Sequence, residues 1–359
     1  MTYSIIQWAT GTVGKHTVSA LAERPDYKIV GARVYDPGKS GRDLGEICGI
    51  APLGVTATTD PEQIFSQEAD CVMYMATAEK HMPECTQDIC KLLASGKNVI
   101  ATSVPYIHPK GLSTEMAGAI TAACQAGGST FHGLGVMPGF VSELFPLILT
   151  RLSRSVDQIV AYESLVYDQV ASAELNFDVM GFGFLPDDPT PIFADPEIAA
   201  MVWRPSAVLV AEHLGIEIEE IQPFRETVLA TRDLHLISGI VRKGTVGAMN
   251  FGVRIISGGK PVIIFQHYTR MDPDLAPEWP MGEGWTVRIE GTPSMECKVN
   301  IGIHGEDHTD QAYCATAMHA IHAIPYVIAA KPGILTLGDI TAVYGADAMA
   351  APRVAKARH

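Results

Sequence analysis

Ser4-Ile5-Ile6-Gln7-Trp8-Ala9-Thr10-Gly11-Thr12-Val13-Gly14 is the stretch that decides the fold. Ser4 to Trp8 is a short apolar run that reads as a buried strand. From Lys15 to Glu23, Val18, Leu21 and Ala22 fall on one face of a helix. Two glycines three residues apart therefore occupy the turn between strand and helix. Gly11 lets backbone approach a ligand, and Gly14 lets helix and strand pack closely. The unpaired N–H groups of the first helical turn point at whatever the turn holds. This arrangement suits a dinucleotide pyrophosphate, with Thr10, Gly11, Thr12, Val13 and Gly14 as its cradle. The first glycine of G-x-G-x-x-G is missing, so an ordinary tight turn is the competing reading.

Outward from that turn, strand and helix signals alternate. Lys28–Tyr35, Gly54–Thr58, Asp70–Met75, Asn98–Thr102 and Thr130–Gly133 read as strands, with helical patterns at Met82–Ser95 and Ser113–Gln125. Alternation of this kind implies parallel pairing through right-handed crossovers. Residues 1–140 are thus expected to form a doubly wound α/β domain of Rossmann type. Asp36 stands where a carboxylate can meet the ribose hydroxyls, while Lys39, Ser40 and Arg42 just beyond it can hold a 2′-phosphate. The cations favour NADP with NAD tolerated. Ala76, Thr77 and Ala78 end a central strand at the crevice and are expected beside ribose and nicotinamide, and Ser103 follows the next strand.

The second half changes texture. Val156–Val166 is one long strand, Thr245–Ile256 and Pro261–Thr269 form a pair joined through Gly258-Gly259, and Trp285–Glu290 pairs with Met295–Ile303. Residues 141–309 are expected to form an α+β substrate and dimerisation domain with an open, largely antiparallel sheet. Residues 310–359 are expected to form a helical segment returning toward the first domain.

Composition narrows the partners. Of 359 residues 47% are hydrophobic and the formal net charge is −14. An acidic surface repels nucleic-acid backbones and anionic lipid, so neither is an expected partner. The N-terminus has no basic region or cleavage site, and no stretch approaches roughly 20 apolar residues. The seven cysteines form no C-x-x-C pair and read as buried thiols in a reducing cytoplasm; no set of ligands suggests a metal.

Several segments resemble the dihydrodipicolinate reductase-like family, within it 2,4-diaminopentanoate dehydrogenase and the native amine dehydrogenases. They are the N-terminal turn, Gly38–Gly49, Gly133-Leu134-Gly135-Val136-Met137-Pro138-Gly139-Phe140, Trp279-Pro280, and Ala320-Ile321-His322-Ala323-Ile324-Pro325 with Lys331–Ile334. The resemblance implies a homodimer that interconverts a small carbonyl compound plus ammonia with a primary amine, using NAD(P)H. It places Met137 and His322 near the cofactor, each where the family has asparagine. The family's glutamate in the loop after Asn98–Thr102 has no counterpart in Ser103-Val104-Pro105-Tyr106-Ile107-His108-Pro109.

Another acid/base is therefore sought in the second half. Alternation along Val156–Val166 puts Glu163 on the face of Ala161 and Leu165, where a carboxylate could move a proton; an ion pair with a neighbouring arginine is the plain alternative. Tyr167 and His267 are further candidates, with His132 and His108 behind them, and Phe140 and Trp279 could wall an apolar pocket. The expected activity is an NAD(P)H-dependent oxidoreductase, foremost an amine dehydrogenase. An ammonia-independent carbonyl or imine reductase and a non-catalytic dinucleotide-binding sensor stand beside it.

Overall fold

The structure, a computed structural model, describes residues 2–78, 81–340 and 343–345. Its first sheet begins with β1 (Tyr3–Trp8), β2 (Tyr27–Arg33), β3 (Ala57–Thr58), β4 (Cys71–Tyr74), β5 (Asn98–Ala101) and β6 (Thr130–Gly133). Between them run α1 (Thr12–Ala22), α2 (Leu44–Cys48), α3 (Pro61–Ser66), α4 (Met82–Ala94), α5 (Pro109–Leu112) and α6 (Thr114–Gly127). Every pairing is parallel, in the order β6-β5-β4-β1-β2-β3. The strand order reverses between β1 and β4, which opens a crevice at their C-terminal ends. Helices on both faces bury alternate residues: Ile5 and Met73 enter one core, Ile6 and Val72 the other. Asp43, Asp60 and Ser113 accept backbone N–H bonds at the starts of α2, α3 and α6.

The second sheet is built from β7 (Ser155–Val166), β8 (Glu220–Leu229), β11 (Val246–Ser257), β12 (Lys260–Arg270), β13 (Gly284–Thr292) and β14 (Met295–Val299), while β9 (Leu234–Leu236) and β10 (Gly239–Val241) make a separate ribbon. Its order is β14-β13-β7-β12-β11-β8, antiparallel except where β7 meets β12. The short helices α7 (Phe145–Leu149) and α8 (Pro196–Ala200) and the longer α9 (Arg204–Leu214) complete this half, with α8 and α9 packed on the sheet. β8 is absent from the sequence reading because it is polar and carries Pro223. Both traits suit an edge strand.

The chain then returns. α10 (His308–Ala329) lies along α1 and the first sheet, and β15 (Gly333–Leu335) adds a seventh parallel strand beside β6. Contrary to the sequence expectation, α10 is long and apolar enough to meet the criterion for a membrane span. Its Ala317, Ala320, Ile321, Ile324 and Val327 are buried in the protein's own core, as in a core helix.

Candidate active site

The turn after β1 is built as a cradle. Ala9 occupies the place of the missing first glycine and adopts φ 73°, a left-handed conformation that costs an L-residue about 1 kcal/mol. Gln7, fully buried, donates from Nε2 to the Ala9 carbonyl at 2.8 Å and so holds the turn. A Cβ on Gly14 would sit 2.4 Å from that carbonyl oxygen, so only glycine fits there. A Cβ on Gly11 would meet nothing within 4 Å, and Gly11 and Thr12 are exposed. An open helix N-terminus on a tightly held turn fits a pyrophosphate. Lys39 Nζ lies 3.3 Å from Thr10 Oγ1 at the rim. Asp36 accepts from the Gly38 amide at 2.8 Å, which turns one carboxylate oxygen into its own loop. Arg42 is exposed. Ser103 Oγ accepts from the Ala78 amide at 2.9 Å, tying together the loops after β4 and β5; Thr77 between them is exposed and Ala76 buried.

A cavity of about 380 Å³ lies between the ends of β5 and β6 and the face of the mixed sheet. Thr102, Ile107, Val136 and Met137 line it from one side, Glu163, Leu165, Tyr167 and Trp285 from the other, and Tyr313 of α10 flanks it. Register makes the polar part. Glu163 on β7 is directly opposite Trp285 on β13 and His267 on β12, so the three side chains form a row across adjacent strands. Trp285 Nε1 donates to Glu163 Oε1 at 2.6 Å, and His267 Nδ1 stands 2.9 Å from Oε2. His267 is 6% exposed, and its Nε2, near the rings of Phe251 and Tyr167, has no hydrogen-bond partner among the described residues. Nδ1 thus faces the carboxylate while Nε2 faces aromatic rings. The Trp285 ring packs on His308 at 5.1 Å. Burial, aided by the Glu163 charge, holds the Tyr167 hydroxyl well above the usual phenol range, so it stays protonated.

One buried carboxylate near the cavity escaped the sequence reading. Glu143 is fully buried in the widened helical turn Phe140–Leu144, and its Oε2 accepts from the Gly139 amide at 2.6 Å and from Ser142 Oγ at 2.5 Å. Burial pushes its carboxyl up to about 7. It braces the loop Gly135–Gly139, where Val136, Met137 and Pro138 form the cavity wall. Gly139 has φ 134°, and a Cβ there would lie 2.2 Å from the Gly135 carbonyl oxygen. Its only sequence signal was a lone carboxylate inside the apolar run Phe140–Phe145.

Several expected residues are placed elsewhere. Trp279 packs tilted against Tyr268 at 5.5 Å on the opposite face of the mixed sheet, since alternation sends Tyr268 away from His267. Phe140 faces a second cavity, against His319 at 5.4 Å. His322 lines that same cavity, on the α10 helix that packs along α1. His267 stands behind Glu163 and does not line the cavity. His108 is buried against Glu212 at 3.2 Å, and His132, which burial pushes down to about 4, is bonded to the Leu335 carbonyl.

Residues 5–102 match the family model of dihydrodipicolinate reductase, N-terminus, and residues 140–353 that of the 2,4-diaminopentanoate dehydrogenase C-terminal domain. An amine dehydrogenase of Streptomyces virginiae is 30% identical over 349 residues, covering 94% of this chain and 96% of that protein. The solved amine dehydrogenase from Mycobacterium smegmatis superposes with a TM-score of 0.73 at 20% identity, over 94% of this chain and 96% of the other. A scyllo-inositol dehydrogenase from Lactobacillus casei solved with NAD(H) gives 0.56 at 16%, over 94% and 93%. These two structural likenesses speak to the fold. With the cradle in its first half and its second half matched by the diaminopentanoate dehydrogenase model, the chain belongs to the amine dehydrogenases of the dihydrodipicolinate reductase-like family of nicotinamide-dependent oxidoreductases.

Proposed function

We propose that the chain catalyses reductive amination of small, largely apolar ketones and aldehydes and the reverse deamination, with Glu163 as the group that binds ammonia and handles its protons. The observation that supports this most is the lining of the cavity: among the described residues Glu163 is its one carboxylate, and no lysine or arginine accompanies it. A carboxylate in apolar walls attracts an ammonium or iminium cation and gives a substrate carboxylate no anchor. The bound dinucleotide supplies hydride at nicotinamide C4. Trp285 and His267 fix both oxygens of Glu163, so its free lone pairs point in one direction. Glu163 takes a proton from bound ammonium; once the nitrogen has added to the carbonyl carbon and passed one of its own protons to the oxygen, Glu163 returns its proton there and the oxygen leaves as water, with the neutral Tyr167 hydroxyl placed to donate a hydrogen bond to it. Leu165 and Met137 exclude water while the carbon–nitrogen double bond awaits reduction.

The cofactor reading is NADP with NAD tolerated, supported by Lys39 at the rim, exposed Arg42 and the inward turn of Asp36. A homodimer is supported by the second face of the mixed sheet, where Tyr162, Tyr268 and Trp279 form an aromatic patch. The acting compartment is read as the cytoplasm.

The test follows NADPH oxidation with a short ketone, with and without ammonium. Amine formation that needs ammonium is expected, and Glu163→Gln should lower turnover on the order of 100-fold while NADPH affinity holds. Alcohol formation without ammonium would replace this reading by a carbonyl reductase. Cofactor binding with no turnover on any carbonyl would replace it by a sensor.

A further inference from the structure

The cavity at Glu163 has a neighbour. A second cavity, of about 410 Å³, lies beyond Val136 and Trp285, and these two side chains line both spaces. Its other walls are mostly apolar, with Phe140, Val299, Ile301 and Met318 beside His319 and His322. The two shared side chains are not equivalent. Trp285 is 1% exposed, bonded to Glu163 and packed on His308, so its removal would disturb the carboxylate. Val136 sits on a loop whose backbone is held by other groups. The Val141 amide donates to the Val136 carbonyl at 2.9 Å, the Phe140 amide to Gly135 at 3.0 Å, and His319 Nδ1 bonds the Gly135 carbonyl at 2.9 Å. Glu143 holds the Gly139 amide from below. The Val136 side chain can therefore be shortened while the loop stays in place.

We propose that Val136 sets the upper length of the substrate, closing off the second cavity as an alkyl subsite for chains longer than the first cavity admits. The inference rests on the placing of the amine end at Glu163. Val136 lines the first cavity together with that carboxylate, and the space on its other side, walled by Phe140, Val299, Ile301 and Met318, is apolar enough to take further methylenes. Each buried methylene is worth about a fourfold gain in affinity.

The test uses calorimetric binding of n-alkylamines from propyl to octyl to the protein saturated with NADPH, a pairing that cannot react, so only binding is read. For the native chain, affinity should rise with length and then break. In Val136→Ala the break should move out by two or three methylenes, a gain of more than tenfold for the longest amines, with propylamine changed less than threefold. Val136→Ile should move the break inward by about one methylene, and both variants should keep the native melting temperature within a few degrees. An identical length profile in all three proteins overturns the role of Val136 while leaving the amine site intact. If no amine binds the native chain, the placing at Glu163 fails, and the subsite with it.

Discussion

The glycine turn and the Glu163 row are built in opposite ways. The turn takes all its parts from the eight residues Gln7–Gly14, and its shape follows from local sterics: Ala9 left-handed, Gly14 against the Ala9 carbonyl, Gly11 facing open space. The row takes one residue from each of three strands, and Trp285 stands 122 residues from Glu163 along the chain. Register alone brings the row together. A ligand site made of backbone tolerates almost any side chain but no extra Cβ; a site made of side chains tolerates neither loss nor slippage.

The largest effect should come from the turn. Gly14→Ala places a methyl group against backbone that cannot yield, so stability should fall by about 3 kcal/mol in denaturant titrations, and NADP affinity at least tenfold. A variant with native affinity would show that the turn has more slack than its geometry gives it.

Glu143 separates the two regions by pH. Its carboxyl is raised from 4.5 to about 7, so the folded state keeps a proton that the unfolded state has released across that interval. Stability therefore declines as pH rises from about 4.5 to 7 and is level beyond, a loss on the order of 3 kcal/mol at about 1.4 kcal/mol per unit. Glu143→Gln, which keeps an acceptor for Gly139 without the titration, should gain over the native chain between pH 5 and pH 8 in paired melts. Parallel pH curves for the two proteins would count against a buried proton at this site.

The row should respond more gently and in kcat. Trp285→Phe keeps the packing and removes the N–H to Glu163, a bond to a charged acceptor worth about 2 kcal/mol, or roughly thirtyfold. Turnover should fall by about that factor with NADPH affinity intact. Loss confined to cofactor KM would place Trp285 outside the chemistry. The smallest effect is a gain: Ala9→Gly relieves the left-handed alanine and should stabilise the protein by about 0.5–1 kcal/mol, offset in part by the greater freedom of glycine when unfolded.

The same contrast explains what could be read from the sequence. The Rossmann half was legible because strand and helix periods are local, and β6 and the cradle fell where expected. Alternation along β7 also put Glu163 on the correct face. Its partners were not legible, since the pairings of β7 with β13 and with β12 depend on register between distant segments. Trp279 lies in the loop between β12 and β13, and no strand period foretells that this loop carries it to Tyr268. Glu143 stayed hidden because an acidic residue in an apolar run carries no sign of what it will brace. β15 was missed because three residues show no period, and only the docking of α10 brings them to β6.

The path of α10 and β15 has a consequence for how such proteins can be taken apart. The first sheet is finished by β15, far along the chain from the other strands, and the helix that leads there also flanks the Glu163 cavity through Tyr313 and Thr316. A fragment ending near residue 140 would leave β6 as a bare edge and α1 without its neighbour. A chimera that exchanges substrate specificity must therefore splice an internal cassette between two retained flanks, and its second junction has to be chosen within or before α10. Gene architecture and tertiary architecture do not share a boundary here.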